Sequence, residues 1–296
     1  MTVNRIRFEG LKAVELVSSS LRLVAVYEFG PRIAFFGKPE GENLLLWKPG
    51  EYGRKEWDLR GGHRIWLTRP GADECEETYA PDNGECDLEQ TDDGFRITAP
   101  EDPRNCTVRS MDIRMTDESR VEVDNAVVNA GDMLYSCGIW ALTCTVPRKR
   151  TRYLVPVGDD SAWDSFTQVI FRRWAGNSGG CSDPQFLFND DLLCIDPDGK
   201  ENKRMIQAHK GIIAMDDPDL DITFGKRTEY FSDLDYPGNC NVAVYIGPDN
   251  FMVEMETMGP EKTLKPGESL HHKETWLLAS RHAHPENAES LQDMFG

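Results

Sequence analysis

The feature that most constrains this chain is a succession of short alternating segments from one end to the other, with almost nothing of helical period between them. In "SRVEVDNAVVN" Val121 and Val123 oppose Arg120, Glu122 and Asp124, the pattern of a strand with one buried face. "FRITAP", "CTVRSMDIRMTD", "TRYLVPVG", "NVAVYIG", "FMVEMETM" and "SLHHKETWLLAS" read the same way, and serines with Gly30-Pro31 break "KAVELVSSSLRLVAVYEFGPRIAFFG" into several runs. The one fair helical signal is the C-terminal "HPENAESLQDMF", with a proline start and early acidic residues. There is no repeat of 20 to 50 residues and no low-complexity linker. The expectation is an all-β chain: a single large antiparallel β-sandwich over residues 1–280, then a tail or short helix over 281–296.

At 296 residues the chain can bury a full core. Its 51 acidic residues against 33 Lys and Arg give a formal charge of −18, a field that repels nucleic acid and acidic membrane surfaces. No segment approaches the ~20 apolar residues of a membrane span, and the first twenty residues hold no leader-like run, so the expected location is the cytoplasm. Eight cysteines form no C-x-x-C pair, which favours single buried thiols over a zinc site. No P-loop, G-x-G-x-x-G, nucleophile elbow or Ser-His-Asp order is present, which argues against the hydrolase, kinase and dehydrogenase classes, and no metal-ligand motif is visible. The sequence leaves the oligomeric state open.

Two segments carry candidate chemistry. In "NFMVEMETMGP", period two puts Glu254 and Glu256 on one face, with Val253 and Met255 on the other, the carboxylates about 7 Å apart. On a concave, dry face one of them can serve as a general base; on a solvated face the pair means nothing. In "LRGGHRIWLT", Arg64, Trp66 and Thr68 oppose Ile65 and Leu67. A guanidinium that grips hydroxyls beside a flat indole suits a sugar ring, and an Arg–Trp stack on a surface strand is the plain alternative. Strict parity puts His63 with the core residues, unless a bulge at Gly61-Gly62 shifts it. Asp82 lies in the "PDNG" turn, either bonding its own backbone or reaching a ligand. Trp140 in "GIWALTCTVP" is either a core residue or a stacking platform.

With those residues in view, the chain resembles the galactose mutarotase-like superfamily of aldose 1-epimerases and hexose-6-phosphate 1-epimerases, closest to an uncharacterised bacterial branch. The matching elements are "FGPRIAFFG…ENLL", "LRGGHRIWL", "TYAPDN", "WALTCTVP" and "CNVAVYI…FMVEMETMGP…LKPGES…ETWLL". The resemblance implies a supersandwich with a sugar cleft on a concave sheet. It implies a glutamate that removes the anomeric proton while a histidine protonates the ring oxygen, with no cofactor. Glu256, in Met255-Glu256-Thr257 ahead of Leu264 and Pro266-Gly267-Glu268, is the implied base, and Arg60 of Arg-Gly-Gly an implied ligand contact. The family's histidines have no counterparts: "TYAPDN" stands where one is expected, and Thr143 or Thr145 in the approximate place of the other. His63 is the one nearby substitute acid. The expected ligand is a sugar or sugar derivative, held by Arg60, Arg64, Trp66, Asp82, Trp140 and Glu254. The readings are a cofactor-free epimerase with Glu256 and His63 as base and acid, a sugar-binding protein without turnover, and, as a weaker third, a sugar-acid lyase or hydrolase.

Overall fold

The alternation resolves into two antiparallel sheets. The computed structural model describes residues 2–50, 59–70, 82–158, 169–172, 182–189, 191–280 and 287–296. In chain order the strands are β1 (Thr2–Phe8), β2 (Leu11–Val17), β3 (Arg22–Val26), β4 (Arg32–Gly37), β5 (His63–Thr68), β6 (Asp87–Gln90) and β7 (Gly94–Thr98). Then come β8 (Thr107–Met115), β9 (Arg120–Asn129), β10 (Tyr135–Thr145), β11 (Arg152–Pro156), β12 (Val169–Arg172), β13 (Phe186–Asn189) and β14 (Leu192–Ile195). The last are β15 (Asn202–Ile206), β16 (Ile212–Asp217), β17 (Ile222–Thr228), β18 (Val242–Ile246), β19 (Val253–Met258), β20 (Lys262–Leu264) and β21 (Ser269–Ser280).

The first sheet runs β1-β2-β3-β4-β5-β10-β19-β18-β15-β12, with β20 paired to β10; the second runs β13-β14-β11-β16-β17-β21-β9-β8-β7-β6. Every pairing among the described residues is antiparallel, and both sheets draw strands from both halves of the chain. The main core lies between the sheets. Val14, Leu23, Ile33, Ile65, Ile139 and Met255 from the first meet Phe95, Ile113, Val123, Phe224 and Trp276 from the second. A β-sandwich is what chains with one apolar face per strand form to remove those faces from water.

The outer face of the second sheet is closed by the C-terminal helix α1 (Ala288–Asp293), where Leu291 and Phe295 pack on Leu154, Ile212 and Leu277. Asn287 caps it, its side chain accepting from the Ser290 amide while the Asn287 amide donates to the Ser290 hydroxyl. Residues 281–286 and "TYAP" of the "TYAPDN" element lie outside the described residues.

The outer face of the first sheet is not plain solvent-facing sheet. Trp66, Trp140, Leu142, Met205, Cys240, Ala243 and Met258 form a separate buried apolar cluster there. That cluster is the ground on which the candidate site stands.

Candidate functional site

The central strands β5, β10 and β19 bring the two segments together. Trp140 pairs with Trp66 on one side and Met258 on the other; Leu142 pairs with Arg64 and with Glu256; Cys144 pairs with Glu254. Arg64 and Glu256 therefore sit on one cross-strand row, two strand spacings or about 10 Å apart at the backbone. The next strands extend these rows: Ala243 and Met205 continue that of Glu256, and Tyr245 and Lys203 that of Glu254.

Local chemistry explains why β5 begins where it does. Gly61 and Gly62 have φ of 79° and 74°, and Arg60 before them has φ 44°. A Cβ on Gly61 would collide with the Leu46 carbonyl oxygen, and one on Gly62 with that of Ile33. The glycines thus let the chain cross these carbonyls, the Gly62 amide donating to Leu46 at 2.6 Å and the Gly62 carbonyl accepting from Cys144 at 2.9 Å. No bulge shifts the following strand: His63 pairs with Thr143 and Arg64 with Leu142, in step.

Glu256 is wholly buried, as are Trp140 and Lys203 to within a few per cent. Its Oε2 accepts a hydrogen bond from Trp140 Nε1 at 2.7 Å and lies 3.3 Å from Lys203 Nζ. The Lys203 ammonium also stands 4.6 Å from the centre of the Trp140 ring, and Trp66 meets Trp140 edge to face at 5.4 Å. Trp140 is therefore a wall of the outer face, not of the inter-sheet core. Glu254 is half-buried and accepts from Cys144 Sγ at 3.5 Å. Burial pushes the Cys144 thiol well up, and Glu254 adds to the shift.

Arg64 lies 4.6 Å over the Trp66 ring and grips Asp82 in a bidentate pair, both bonds at 3.0 Å. Arg32 adds a third bond to the same carboxylate at 2.6 Å, and donates to the Gly61 carbonyl at 2.7 Å. All three side chains are buried. Burial alone would raise the Asp82 carboxyl, but Arg32 and Arg64 hold it below its ordinary range. Burial, reinforced by Arg64, pushes Arg32 down to about 9 against the pull of Asp82. The expected role of Asp82 as a ligand contact is corrected here: both of its oxygens are committed to the two arginines that it orients.

One further expectation is corrected. His63 does not face this site. Strand parity turns it into the inter-sheet core, where Nδ1 meets Thr143 Oγ1 at 2.8 Å and Nε2 meets Asn125 Oδ1 at 3.1 Å. Thr143 and Thr145 point the same way, Thr145 bonding the Tyr153 hydroxyl at 2.7 Å. Arg60 precedes the strand, and its guanidinium lies 4.0 Å over the Phe29 ring, in the neighbourhood of Trp47.

His63 instead belongs to a polar knot beneath the candidate site. Lys226 Nζ binds Glu274 Oε1 at 2.7 Å, Thr143 Oγ1 at 2.8 Å and the Met255 carbonyl at 3.2 Å. Thr257 donates to Glu274 at 2.5 Å and meets His272 Nε2 at 2.8 Å, while Asn125 and Trp276 donate to Glu274 at 3.2 Å. Burial would raise Glu274, but Lys226, His63 and His272 bring it down to about 2. The knot fastens β5, β10 and β19 from behind.

Sequence reasoning missed Lys203 and gave Arg32 no defined place. Lys203 sits in "ENKRMIQ", and only the pairing of β15 to β18 carries it to Glu256. Among the described residues no group of His, Cys, Asp and Glu has the geometry to hold a metal, and no helix is long and apolar enough to cross a membrane.

No protein-family model matches the sequence, and no curated protein matches it. Solved structures do match. A proposed aldose 1-epimerase from Escherichia coli K12 is 14% identical, covers 90% of this chain and 98% of its own, and has a TM-score of 0.63. A galactose mutarotase-like protein from Lactobacillus casei is 12% identical over 90% of this chain and all of its own, with a TM-score of 0.62. A proposed mutarotase from Salmonella typhimurium is 13% identical over 94% of each chain, also at 0.62. Identity this low speaks for architecture alone, and that architecture is the two-sheet sandwich described above. The chain has the galactose mutarotase-like fold.

Proposed function

We propose that the outer face of the first sheet binds a sugar or sugar derivative, and that Glu256 acts there as general base at the anomeric carbon. The observation that carries this reading is the Glu256 carboxylate, wholly buried and fixed at 2.7 Å by the Trp140 indole, which itself packs against Trp66. A sugar ring offers apolar C–H faces to Trp66 and Trp140 and an acidic O1–H to the carboxylate. A fixed carboxylate in a dry site needs no reorganisation as the proton moves, and such a base contributes about 10²- to 10⁴-fold in rate. Because the face is buried, a ligand must displace whatever covers it before reaching Glu256.

A second reading, binding without turnover, has its own support. The two histidines nearest the central strands, His63 and His272, both lie in the inter-sheet knot, with ring nitrogens engaged. Polarimetry or NMR on freshly dissolved α-anomers of glucose, galactose, glucose 6-phosphate and galacturonate separates the two. Accelerated anomer exchange that is lost in Glu256→Gln supports the base. Saturable binding by calorimetry with no acceleration supports a binding protein. Neither binding nor exchange across these sugars would overturn both readings.

A further inference from the structure

We infer that Lys203 is the proton donor to the ring oxygen, the acid that complements Glu256. The inference rests on the proposed anomeric chemistry and names a partner group that the sequence pattern did not supply. Three observations carry it. Lys203 is buried on the same face as Glu256, its Nζ is 3.3 Å from the Glu256 carboxylate, and the same Nζ stands against the Trp140 ring on which a sugar would rest.

The geometry required by the reaction is unusual, and this pair meets it. The anomeric oxygen O1 and the ring oxygen are bonded to the same carbon, so the base for one and the acid for the other must lie side by side. A carboxylate and an ammonium in direct contact are such a pair, and a hemiacetal can set O1 against the carboxylate and its ring oxygen against the ammonium. Glu256 takes the proton from O1–H while Lys203 gives one to the ring oxygen. The O1 electron pair closes the carbonyl, and the C1–O bond to the ring oxygen breaks with its electrons on that oxygen, now a hydroxyl. Rotation about C1–C2 presents the other carbonyl face. On reclosure the attacking hydroxyl returns its proton to the neutral Lys203 amine, and O1 recovers one from Glu256. Atoms and charges balance, and neither redox partner nor metal is needed.

The backbone supports this placement. Lys203 lies on the Tyr245–Glu254–Cys144 row, one step along from the row of Glu256, so its side chain reaches diagonally over Ala243. Ala243 is small enough to leave that path open. His63, Thr143 and Thr145 are excluded as donors because all three point through the sheet to its inner side.

The test uses the full chain and the four α-anomers named above. Lys203→Arg keeps the positive charge and the contact with Glu256, but a guanidinium does not give up its proton. Lys203→Met removes both charge and proton. Exchange should fall ~100-fold or more in Lys203→Arg while sugar binding stays within about threefold of wild type. If Lys203→Met does not fold, Lys203→Arg alone decides the matter. Wild-type exchange that disappears in Glu256→Gln but persists in Lys203→Arg overturns the role of Lys203 and leaves Glu256 standing as base. Wild-type protein that binds sugar without accelerating exchange overturns both.

Discussion

Acid should weaken this fold through the polar knot between the sheets, and the size of the effect follows from its histidines. His63 touches Thr143 and Asn125, stands 3.6 Å from Glu274, and meets Trp276 edge to face at 4.9 Å. Burial pushes it down to about 4, with Lys226 adding to the shift and Glu274 opposing it; His272 is pushed to about 4 by burial and Lys226. An unfolded chain titrates its histidines near 6.5. Between these values the unfolded chain holds more protons than the folded one. The contribution of each neutral histidine is thus fully present above pH 6.5 and is lost as the pH falls to 4 and below. The full gap is worth about 3 kcal/mol for one histidine, of which about 2 kcal/mol falls between pH 7 and pH 5. Glu274, held at about 2, stays ionised across this window and keeps its bond to Lys226. The assay is urea unfolding followed by tryptophan fluorescence at pH 7, 6 and 5, on wild type and His63→Gln. With 51 acidic against 33 basic residues, acid also relieves surface repulsion, so the slopes of stability against pH are compared, not single values. His63→Gln should lose about 1 kcal/mol per pH unit of acid sensitivity. Parallel slopes for the two proteins would refute a buried neutral His63.

Other perturbations test neighbouring parts of the account. Lys226→Met removes the ion-pair partner of the buried Glu274 carboxylate and should destabilise by about 3–5 kcal/mol in urea, with Lys226→Met/Glu274→Gln recovering part of the loss. Gly61→Ala forces a Cβ onto the Leu46 carbonyl at a left-handed position, and its melting temperature should drop by an amount corresponding to more than about 1 kcal/mol. Trp140→Phe keeps a ring beside Trp66 but deletes the donor to Glu256. Anomer exchange measured by polarimetry should slow about 10-fold or more, the worth of one hydrogen bond to a charged group.

Much of this architecture was legible in the sequence because period-two alternation states which side of a strand is buried. Val121 and Val123 in β9, Met255 against Glu254 and Glu256 in β19, and Trp140 with Leu142 and Cys144 in β10 all lie on the faces that parity assigns. The same parity puts His63 with Ile65 and Leu67, and the alternative of a bulge at Gly61-Gly62 is the one the pairing rules out. Those glycines answer a different demand, the close crossing of two carbonyls before the strand begins. What alternation does not encode is which strands become neighbours. Lys203 and Glu256 are far apart in sequence and meet only because β15, β18 and β19 are consecutive in the sheet. Nor does a turn motif reveal that Asp82 is clamped by two arginines, since Arg32 and Arg64 come from separate strands.

The central claim, that a sugar occupies the outer face of the first sheet against Trp66, Trp140 and Glu256, is tested most directly by the indole N–H resonances of nitrogen-15-labelled protein. Titration with the sugar that binds should move the Trp66 and Trp140 signals together and leave Trp276, buried between the sheets, where it was. Saturable binding that leaves both outer-face indoles unmoved would contradict the account.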